Sequence, residues 1–372
     1  MDFNSVEVAD EYFVFKKLFV IFFFVNCDQV NKNKMKQKLR YLYWTLVCVW
    51  LLGGCALKGG EAKGVKKIVN GEMKRVELTL QDSFTEFPDF SFFKDITCMS
   101  VNEGKLYMFD TWRSDVAMWD RRNDRFLTFG SRGMGPREVA DAKTFYVQNG
   151  KVAVMGAGSL KVYDEQGGVE TIHIPRHDEW RFFIEKDTVY ITAVLEETFY
   201  VKFSNRWKRA DGEKGLQLCG SFLDITDGMR QSRNNRHLLK GDDCLYAVCP
   251  SFPVIEKYDL HTNELLMSCD LSGVDYVKDI LSYVKDNNSP SSYHIYFSDA
   301  YFYKNRLYIL CANWNPKYEV NKILVLDEDM SPTGIYQLPG IYYSSFCVDD
   351  EFIYAANRKD CAVEILTVDK RF

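Results

Sequence analysis

The stretch FGSRGMGPREVADA, residues 129–142, combines the glycines and arginines that anion-binding loops use. Its candidate site residues are Gly130, Arg132, Gly133, Gly135, Pro136, Arg137 and Glu138. A phosphate-binding P-loop needs Gly-Lys-Ser/Thr where a parallel strand runs into a helix. No Lys-Ser or Lys-Thr follows these glycines, so a nucleotide site of that kind is not expected. We favour a structural connection over the alternative, a nest of backbone N–H groups that holds a carboxylate beside the arginines.

A second group of basic residues stands out in an acidic chain. Its members are Arg230, Arg233, Arg236 and His237. Guanidinium groups bind carboxylates in a forked geometry, so this group could form a rim that recognises a carboxylated peptide or glycan. The alternative is a solvated loop with no ligand.

Histidine and cysteine spacings give no metal or redox motif. The five histidines form no His-Glu-x-x-His pattern, and no Cys-x-x-Cys occurs after residue 55. We therefore predict no metal site, no dithiol centre and no cofactor. Cys98 is interpreted as a core residue of a strand.

The elements that position these residues follow an internal repeat. Six polar turns each precede an apolar strand, and the first apolar residues of these strands are Leu106, Val152, Val189, Leu245, Leu307 and Ile353. A second strand follows each time, and five of the six copies end in aspartate, at Asp120, Asp164, Asp259, Asp327 and Asp369. An aspartate at such a place can accept a hydrogen bond from the backbone two residues on, so these residues are predicted to form turns.

Further strands before and after the repeats give antiparallel four-stranded units of about 50 residues, the size of a propeller blade. The sequence thus predicts an all-β fold, a six-bladed β-propeller over residues 68–372. The sixth blade lacks an outer strand, and the strand-like segment 73–80 has no blade of its own. We expect this N-terminal strand to close the ring, since pairing removes both open edges.

Two connections are longer than ordinary turns between blades, residues 205–235 and 271–292. In the second, apolar residues recur at helical spacing from Val274 to Val284, which predicts a helix. Long loops on a rigid scaffold often carry function.

The N-terminal region has the features of an export signal. Residues 35–54 contain the basic segment MKQKLR, a 12-residue apolar run and small residues before Cys55. We interpret residues 1–34 as an upstream extension and residues 55–67 as a flexible tether. The segment LGGC resembles the lipobox of bacterial lipoproteins, which implies a lipid on Cys55. An ordinary signal peptide with an incidental cysteine is the alternative.

The net charge of the chain indicates which classes of partner to expect. After residues 1–54 are subtracted, 40 basic and 47 acidic residues remain, a net charge of −7. Nucleic-acid binding needs a basic surface, so no nucleic-acid partner is expected.

The segment GSRGMGPREV, the LGGC sequence and the six repeats together resemble the six-bladed β-propeller lipoproteins of Gram-negative anaerobes. In that family the connection from the first to the second blade carries G-x-G-P-x-E, which Gly133, Gly135, Pro136 and Glu138 match. The wider fold is similar to TolB-like and NHL-like propellers. The resemblance implies a lipoprotein of the cell envelope with no established reaction. Because no acidic residue follows Cys55 until Glu61, we favour the periplasmic side of the outer membrane over display on the cell surface.

The sequence therefore favours a lipid-anchored binding module whose partner is an envelope protein, peptide or glycan. The alternative is an enzyme, a lactonase-like or glycan-active hydrolase or lyase, with polar residues converging on the central channel of the propeller. The candidates near predicted inner strands are Asp95, Asp141, Glu179, Arg181, Arg236, His294, Asp299 and Ser344.

Overall fold

The computed structural model describes residues 65–67, 73–175, 181–195, 197–212, 214–224, 229–287, 294–314 and 317–367. Three strands come first along the chain: β1 (Val65–Lys67), β2 (Lys74–Glu77) and β3 (Thr79–Phe84). The remaining 23 strands form six antiparallel sheets in chain order. The predicted six-bladed β-propeller is confirmed.

Blades one to three each contain four strands, numbered from the innermost outwards. Blade one is β4 (Ile96–Asn102), β5 (Lys105–Asp110), β6 (Asp115–Asp120) and β7 (Arg125–Phe129). Blade two is β8 (Thr144–Gln148), β9 (Lys151–Gly156), β10 (Ser159–Tyr163) and β11 (Val169–His173). Blade three is β12 (Phe182–Glu185), β13 (Thr188–Leu195), β14 (Thr198–Ser204) and β15 (Gln217–Cys219).

Blades four to six share this plan and incorporate the N-terminal strands. Blade four is β16 (His237–Lys240), β17 (Cys244–Val248), β18 (Val254–Asp259) and β19 (Leu265–Asp270). Blade five is β20 (Phe297–Tyr303), β21 (Arg306–Asn313), β22 (Glu319–Leu326) and β23 (Pro332–Gln337). Blade six is β24 (Tyr343–Val348), β25 (Phe352–Asn357), β26 (Ala362–Thr367) and the N-terminal β3.

The N-terminal strands lie on the outer edges of three consecutive blades. β1 pairs in parallel with β19 of blade four, and β2 pairs in parallel with β23 of blade five. β3 pairs antiparallel with β26 and completes blade six, so the predicted closure by an N-terminal strand is confirmed. The segment 73–80 is divided between two blades at Leu78, which is buried and whose N–H donates to the Gln337 carbonyl, 3.0 Å away.

Turn chemistry matches the sequence. Asp120, Asp164, Asp259 and Asp327 each accept a hydrogen bond from the backbone N–H two residues on, which confirms four of the predicted turns. Asp369 lies outside the described residues.

Within blade one, Glu103 and Gly104 both have positive φ angles, 53° and 74°. That is the backbone of a type I′ hairpin turn, which suits the twist of two adjoining strands.

Helices are few. α1 (Arg230–Arg233) is a single turn, and two 3-10 turns cover Arg209–Asp211 and Leu271–Gly273. α2 (Asp275–Asn287) confirms the predicted helix, and its Val277 and Ile280 are fully buried in the core between blades four and five. Among the helices of the described ranges, none has the length and apolar content needed to cross a membrane.

Some sequence predictions fall on other parts of the chain. Residues 1–34 and 35–54, Cys55 and most of the predicted tether lie outside the described residues. Within that tether, Val65–Lys67 form β1.

Candidate functional site in the central channel

The innermost strands of all six blades carry one residue at an equivalent position, which we call the channel layer. Its members are Cys98, Thr144, Arg181, His237, Asp299 and Ser345. In each blade this residue pairs with a residue of the second strand. That partner lies three positions after the first apolar residue of the repeat. The pairs are Cys98 with Phe109, Thr144 with Met155, Arg181 with Thr192, His237 with Val248, Asp299 with Leu310 and Ser345 with Ala356. One polar or sulfur-bearing side chain per blade therefore lies at the same level.

Backbone irregularities help to set this layer. In blades one, five and six the strand pairing shifts by one residue immediately before the layer, at Thr97, Ser298 and Ser344. An extra residue in one strand turns the following side chain and increases the local twist. Ser344, one of the predicted channel residues, instead donates from its Oγ to the Ile96 carbonyl, 2.5 Å away.

Arg181 links three blades across the channel. Its Nη2 donates to Asp299 Oδ1 of blade five, and its Nη1 donates to Cys98 Sγ of blade one at 3.6 Å. Thr144 Oγ1 also donates to Cys98 Sγ, at 3.7 Å. The side chain of Arg181 is 17% exposed and that of Asp299 is 2% exposed. The ion pair is therefore largely shielded from water.

Asp299 accepts four hydrogen bonds. Besides Arg181, the donors are Ala300 N at 2.8 Å, Ser345 Oγ at 2.7 Å and Phe346 N at 3.2 Å. Ser345 Oγ in turn accepts from Met99 N at 3.0 Å. Buried carboxylates require such satisfaction, because an unpaired charge in the interior is costly. This network connects blades one, two, three, five and six.

Blade four supplies the exception. His237 is 6% exposed, and neither of its ring nitrogens has a hydrogen-bond partner among the described residues. Burial lowers the pKa of His237 to about 3, with a further contribution from the charge of Arg181, while the backbone of Phe297 acts in the opposite direction. The imidazole is therefore neutral at physiological pH.

The other ionisable members are also fixed in one state. Burial raises the pKa of the Cys98 thiol, Arg181 opposes that shift, and Asp299 adds to it. For Arg181, burial is the largest single influence and acts to lower the pKa, but the interactions with Asp299 and Cys98 together outweigh it and the pKa is raised. Cys98 is thus a neutral thiol beside a permanently charged guanidinium.

A cavity of about 410 Å³ extends from this layer towards the end of the channel where the inner strands turn into the second strands. Cys98 and Arg181 lie at its inner end. The residues two positions further along the strands form its wall, namely Ser100, Tyr146, Phe183, Leu239 and Tyr301. At the mouth lie the exposed Glu103, Asp242 and Lys304. We call this space the channel cavity.

Tyr301 explains why blade six contributes nothing to the wall. Its hydroxyl donates to the Val101 carbonyl at 3.1 Å and accepts from the Val101 N–H at 3.3 Å. Tyr301 belongs to blade five and Val101 to blade one, so the ring crosses in front of blade six. The cavity is therefore lined by five blades.

The glycine-rich segment lies between blades one and two and is largely satisfied by its own residues. The Glu138 carboxylate accepts a hydrogen bond from Gly135 N at 2.7 Å. A Cβ added at Gly133 would overlap that carboxylate, and one at Gly135 would approach it to 3.0 Å. The carboxylate that the glycines accommodate is thus the chain's own. The carbonyls of Arg137 and Pro136 accept from Tyr163 and Lys161 of blade two at 2.8 and 3.2 Å.

Arg132 and Arg137 are exposed at the surface of this segment. Neither is part of the channel layer, and the Arg137 guanidinium lies beside Gly167 in the outer turn of blade two. The segment and the channel are therefore separate regions.

The structure divides the predicted basic rim. Arg236 is fully buried, and its guanidinium contacts Glu256, Cys249 and the ring of Phe199. His237 belongs to the channel layer. Only Arg230 and Arg233 have partly exposed side chains, and Arg230 pairs with Glu197 at 2.8 Å. Because Arg236 and His237 are buried, the four residues do not form the exposed rim that the sequence predicted.

Other candidates from the sequence lie apart. Asp95 pairs with Arg358 at 3.1 Å, and Asp141 is exposed beside Lys143. His294 packs edge-on against Trp314, with ring centroids 5.3 Å apart. Glu179 lies outside the described residues. Of the predicted set, only Arg181 and Asp299 belong to the channel layer.

Sequence reasoning missed Cys98, Thr144 and Ser345 as channel residues and assigned His237 to the basic rim instead. The sequence held a signal for them in the repeat itself. The second-strand residue three positions after the first apolar residue pairs with the channel-layer residue of the inner strand in every blade.

Within the described ranges, no three His, Cys, Asp or Glu side chains are grouped so as to hold a metal ion.

Solved structures that are similar to this chain share little of its sequence. A Bacteroides fragilis protein whose name describes it as exported is 13% identical with a TM-score of 0.54, covering 82% of this chain and 99% of that one. The β-propeller domain of Cps50 (Swd1) from Myceliophteria thermophila is 10% identical with a TM-score of 0.49, covering 78% and 100%. BamB from Moraxella catarrhalis is 12% identical with a TM-score of 0.42, covering 78% and 100%.

At such identities the similarity shows the fold alone. No protein-family profile matches the sequence, and no curated protein is significantly similar to it. Fold and site together define a six-bladed β-propeller whose channel is closed at one level by a polar layer.

Proposed function

We propose that this protein is a binding propeller of the bacterial cell envelope that takes a ligand into the channel cavity. The observation that carries the proposal is the channel cavity itself. It has the volume of a small-molecule pocket, a wall that includes three aromatic side chains, and polar groups at both ends.

Binding is favoured over catalysis by the state of the ionisable groups. A nucleophilic cysteine needs a lowered pKa, whereas burial raises that of Cys98. A general base works best with a pKa near the operating pH, whereas that of His237 is about 3. Asp299 is held by four donors. Cys98 and His237 thus lack the ionisation state that a nucleophile or general base needs, and Asp299 is engaged in fixed hydrogen bonds, which favours recognition over catalysis.

The ligand proposal is tested by thermal stabilisation of the full-length protein with envelope extract, separated into protein, peptide and glycan fractions. We expect one fraction to stabilise the protein and to lose its effect on Leu239→Trp, which fills the cavity. Leu265→Trp, an exposed leucine on the outer strand of the same blade, is the matched control and should respond like the unaltered protein.

Two results would count against this proposal. Stabilisation that persists in Leu239→Trp would place binding outside the channel. Turnover of a lactone or glycan by the purified protein, abolished by Leu239→Trp, would replace binding by the hydrolase or lyase alternative.

The envelope location is a separate part of the proposal. It is supported by the export-signal features of residues 35–54, by the LGGC sequence and by the fold shared with an exported Bacteroides fragilis protein. We propose that Cys55 carries the lipid and that the propeller faces the periplasm from the outer membrane. Cys55→Ala should move the protein from the membrane to the soluble fraction, and unchanged fractionation would contradict the anchor.

A further inference from the structure

The two ends of the channel cavity differ in charge and hydrogen-bonding character. At the inner end the charges of Arg181 and Asp299 cancel, and His237 and Cys98 are neutral. At the mouth, Lys304 pairs with Asp350 and Lys240 pairs with Glu185 at 2.8 Å. Glu103 and Asp242 are exposed there, and neither has an ion pair among the described residues. Glu103 and Asp242 are therefore the two lining carboxylates at the mouth without a described ion pair, and the Arg122 guanidinium lies beside Gly104, next to Glu103.

The inner end offers donors. A guanidinium has five N–H groups, and the described contacts of Arg181 engage its Nη1 and Nη2 once each. No nitrogen of Arg181 is buried without a partner, and 17% of its side chain is exposed where it lines the cavity. Its Nε–H, which makes no described hydrogen bond, is thus an accessible donor. Because Asp299 already neutralises Arg181, a neutral acceptor such as an amide carbonyl fits better than a second carboxylate.

The wall between the two ends is aromatic. Tyr146, Phe183 and Tyr301 line it, with Tyr303 nearer the mouth. Aromatic faces attract cations as well as apolar groups. Asn102 at the mouth lies four residues after Cys98 on the inner strand, a distance of about 13 Å at the rise of a β-strand.

Taken with the proposed function, on which this inference rests, we infer that the channel cavity binds a cationic amphiphile. Such a ligand has an amine that lies at Glu103 and Asp242, an apolar or aromatic body along the wall, and a neutral carbonyl that accepts from Arg181. The juxtaposition of a neutralised donor, an aromatic wall and unpaired carboxylates at the mouth carries this assignment.

Three dipeptide probes that share the Phe-Phe core test the inference by isothermal titration. They are phenylalanyl-phenylalaninamide, which is cationic, its N-acetyl derivative, which is neutral, and N-acetyl-phenylalanyl-phenylalanine, which is anionic. We expect the cationic probe to bind about fivefold more tightly than the neutral one, as for one favourable charge contact, and the anionic probe to bind most weakly.

Variants at the mouth separate charge from shape. Glu103→Gln combined with Asp242→Asn should remove the preference for the cationic probe and leave the neutral probe unchanged. Asp124→Asn, an exposed aspartate in the outer turn of blade one, is the matched control and should keep the preference.

Variants at the inner end test the carbonyl contact. Arg181→Gln should weaken both amide probes by about tenfold, the cost of a lost charge-assisted hydrogen bond. Because that change leaves Asp299 buried without its partner, Arg181→Gln with Asp299→Asn removes both charges and should give the same loss in a folded protein.

Equal affinity for the three probes, preference for the anionic one, or no binding of any would overturn the ligand class. The response of Leu239→Trp to envelope extract remains an independent test, so failure of this inference is distinguishable from failure of the proposed function.

Discussion

Two buried arginines, Arg181 and Arg236, occupy contrasting regions of the molecule. Arg181 stands in the channel, contacts residues from two other blades and borders a cavity. Arg236 lies between blades three and four, where Glu256, Cys249, Asn234 and Phe199 enclose it. One guanidinium keeps donors accessible, whereas the other is fully sealed. The channel is therefore suited to recognition and the interface between blades to stability.

The same contrast appears in the carboxylates. Asp299 accepts four hydrogen bonds, including two from backbone N–H groups. The Glu256 carboxylate has a longer contact of 3.4 Å with Arg236. Burial raises the pKa of Glu256, and the charge of Arg236 opposes that shift. Buried pairs of this second kind are costly to break from one side, because the remaining charge has no partner.

The largest effect is expected at the interface between blades. Arg236→Met leaves Glu256 buried and unpaired, so the free energy of unfolding should fall by about 3–5 kcal/mol. Urea unfolding of the variant and of the unaltered protein measures this fall in the free energy of unfolding. Arg236→Met combined with Glu256→Leu should recover much of the loss. A change below about 1 kcal/mol in the single variant would show that this pair does not stabilise the interface.

His237 gives the channel a dependence on pH. Its pKa is about 3 in the folded protein and 6.5 in an unfolded chain, so between these values only the unfolded state takes up the proton. Above pH 6.5 His237 does not reduce the free energy of unfolding, and below that pH the free energy of unfolding falls as the pH is lowered. From pH 6.5 to 4.5 the loss is about 2 kcal/mol.

The measurement compares urea unfolding of the unaltered protein and of His237→Gln at both pH values. The variant should lose less stability on acidification. His261→Gln, in an exposed turn of the same blade, should behave like the unaltered protein. Identical pH dependence in all three proteins would contradict the buried neutral imidazole.

A smaller effect is expected at the connection between blades one and two. Gly133→Ala displaces the Glu138 carboxylate from Gly135 N and should cost about 1–2 kcal/mol, the value of a hydrogen bond to a charged group. In a double-mutant cycle with Glu138→Ala, the combined loss should be less than the sum of the single losses. Strict additivity would mean that the glycine serves another purpose.

The smallest effect is expected at the surface of that segment. Replacing both Arg132 and Arg137 by Gln, with the glycines kept, should change stability by less than about 0.5 kcal/mol, because neither side chain is buried. Probe affinity in the channel should also stay the same. Weaker binding of a carboxylated peptide by this variant would instead favour a ligand at the glycine-rich segment.

Sequence reasoning succeeded where the signal is local and repeated. The apolar strands from Leu106 to Ile353 gave the number of blades, and the helical spacing around Val277 gave α2. It missed β15 because that strand has three residues, only one of them buried, and no alternation to detect. Short outer strands depend on their neighbours more than on their own sequence.

The site was harder to predict because neighbours in sequence diverge in the fold. Arg236 and His237 are adjacent, yet successive strand residues project to opposite sides, so one enters the interface between blades and the other the channel. Conversely, Cys98, Arg181 and Asp299 are about 80 to 200 residues apart and meet through the closure of the ring. The predicted basic rim was therefore wrong as a single site, because its residues were grouped by their proximity in the sequence.

The pairing of β3 with β26 has a consequence for the order of folding. Thr367 Oγ1 donates to the Thr79 carbonyl across 288 residues, whereas the hairpins of blades one to five form between neighbouring segments. Contacts between distant segments close late, because chain entropy is lost before the contact can form. Blade six is thus expected to be the slowest element to assemble, and until then the edge of β26 stays open to pairing with other chains.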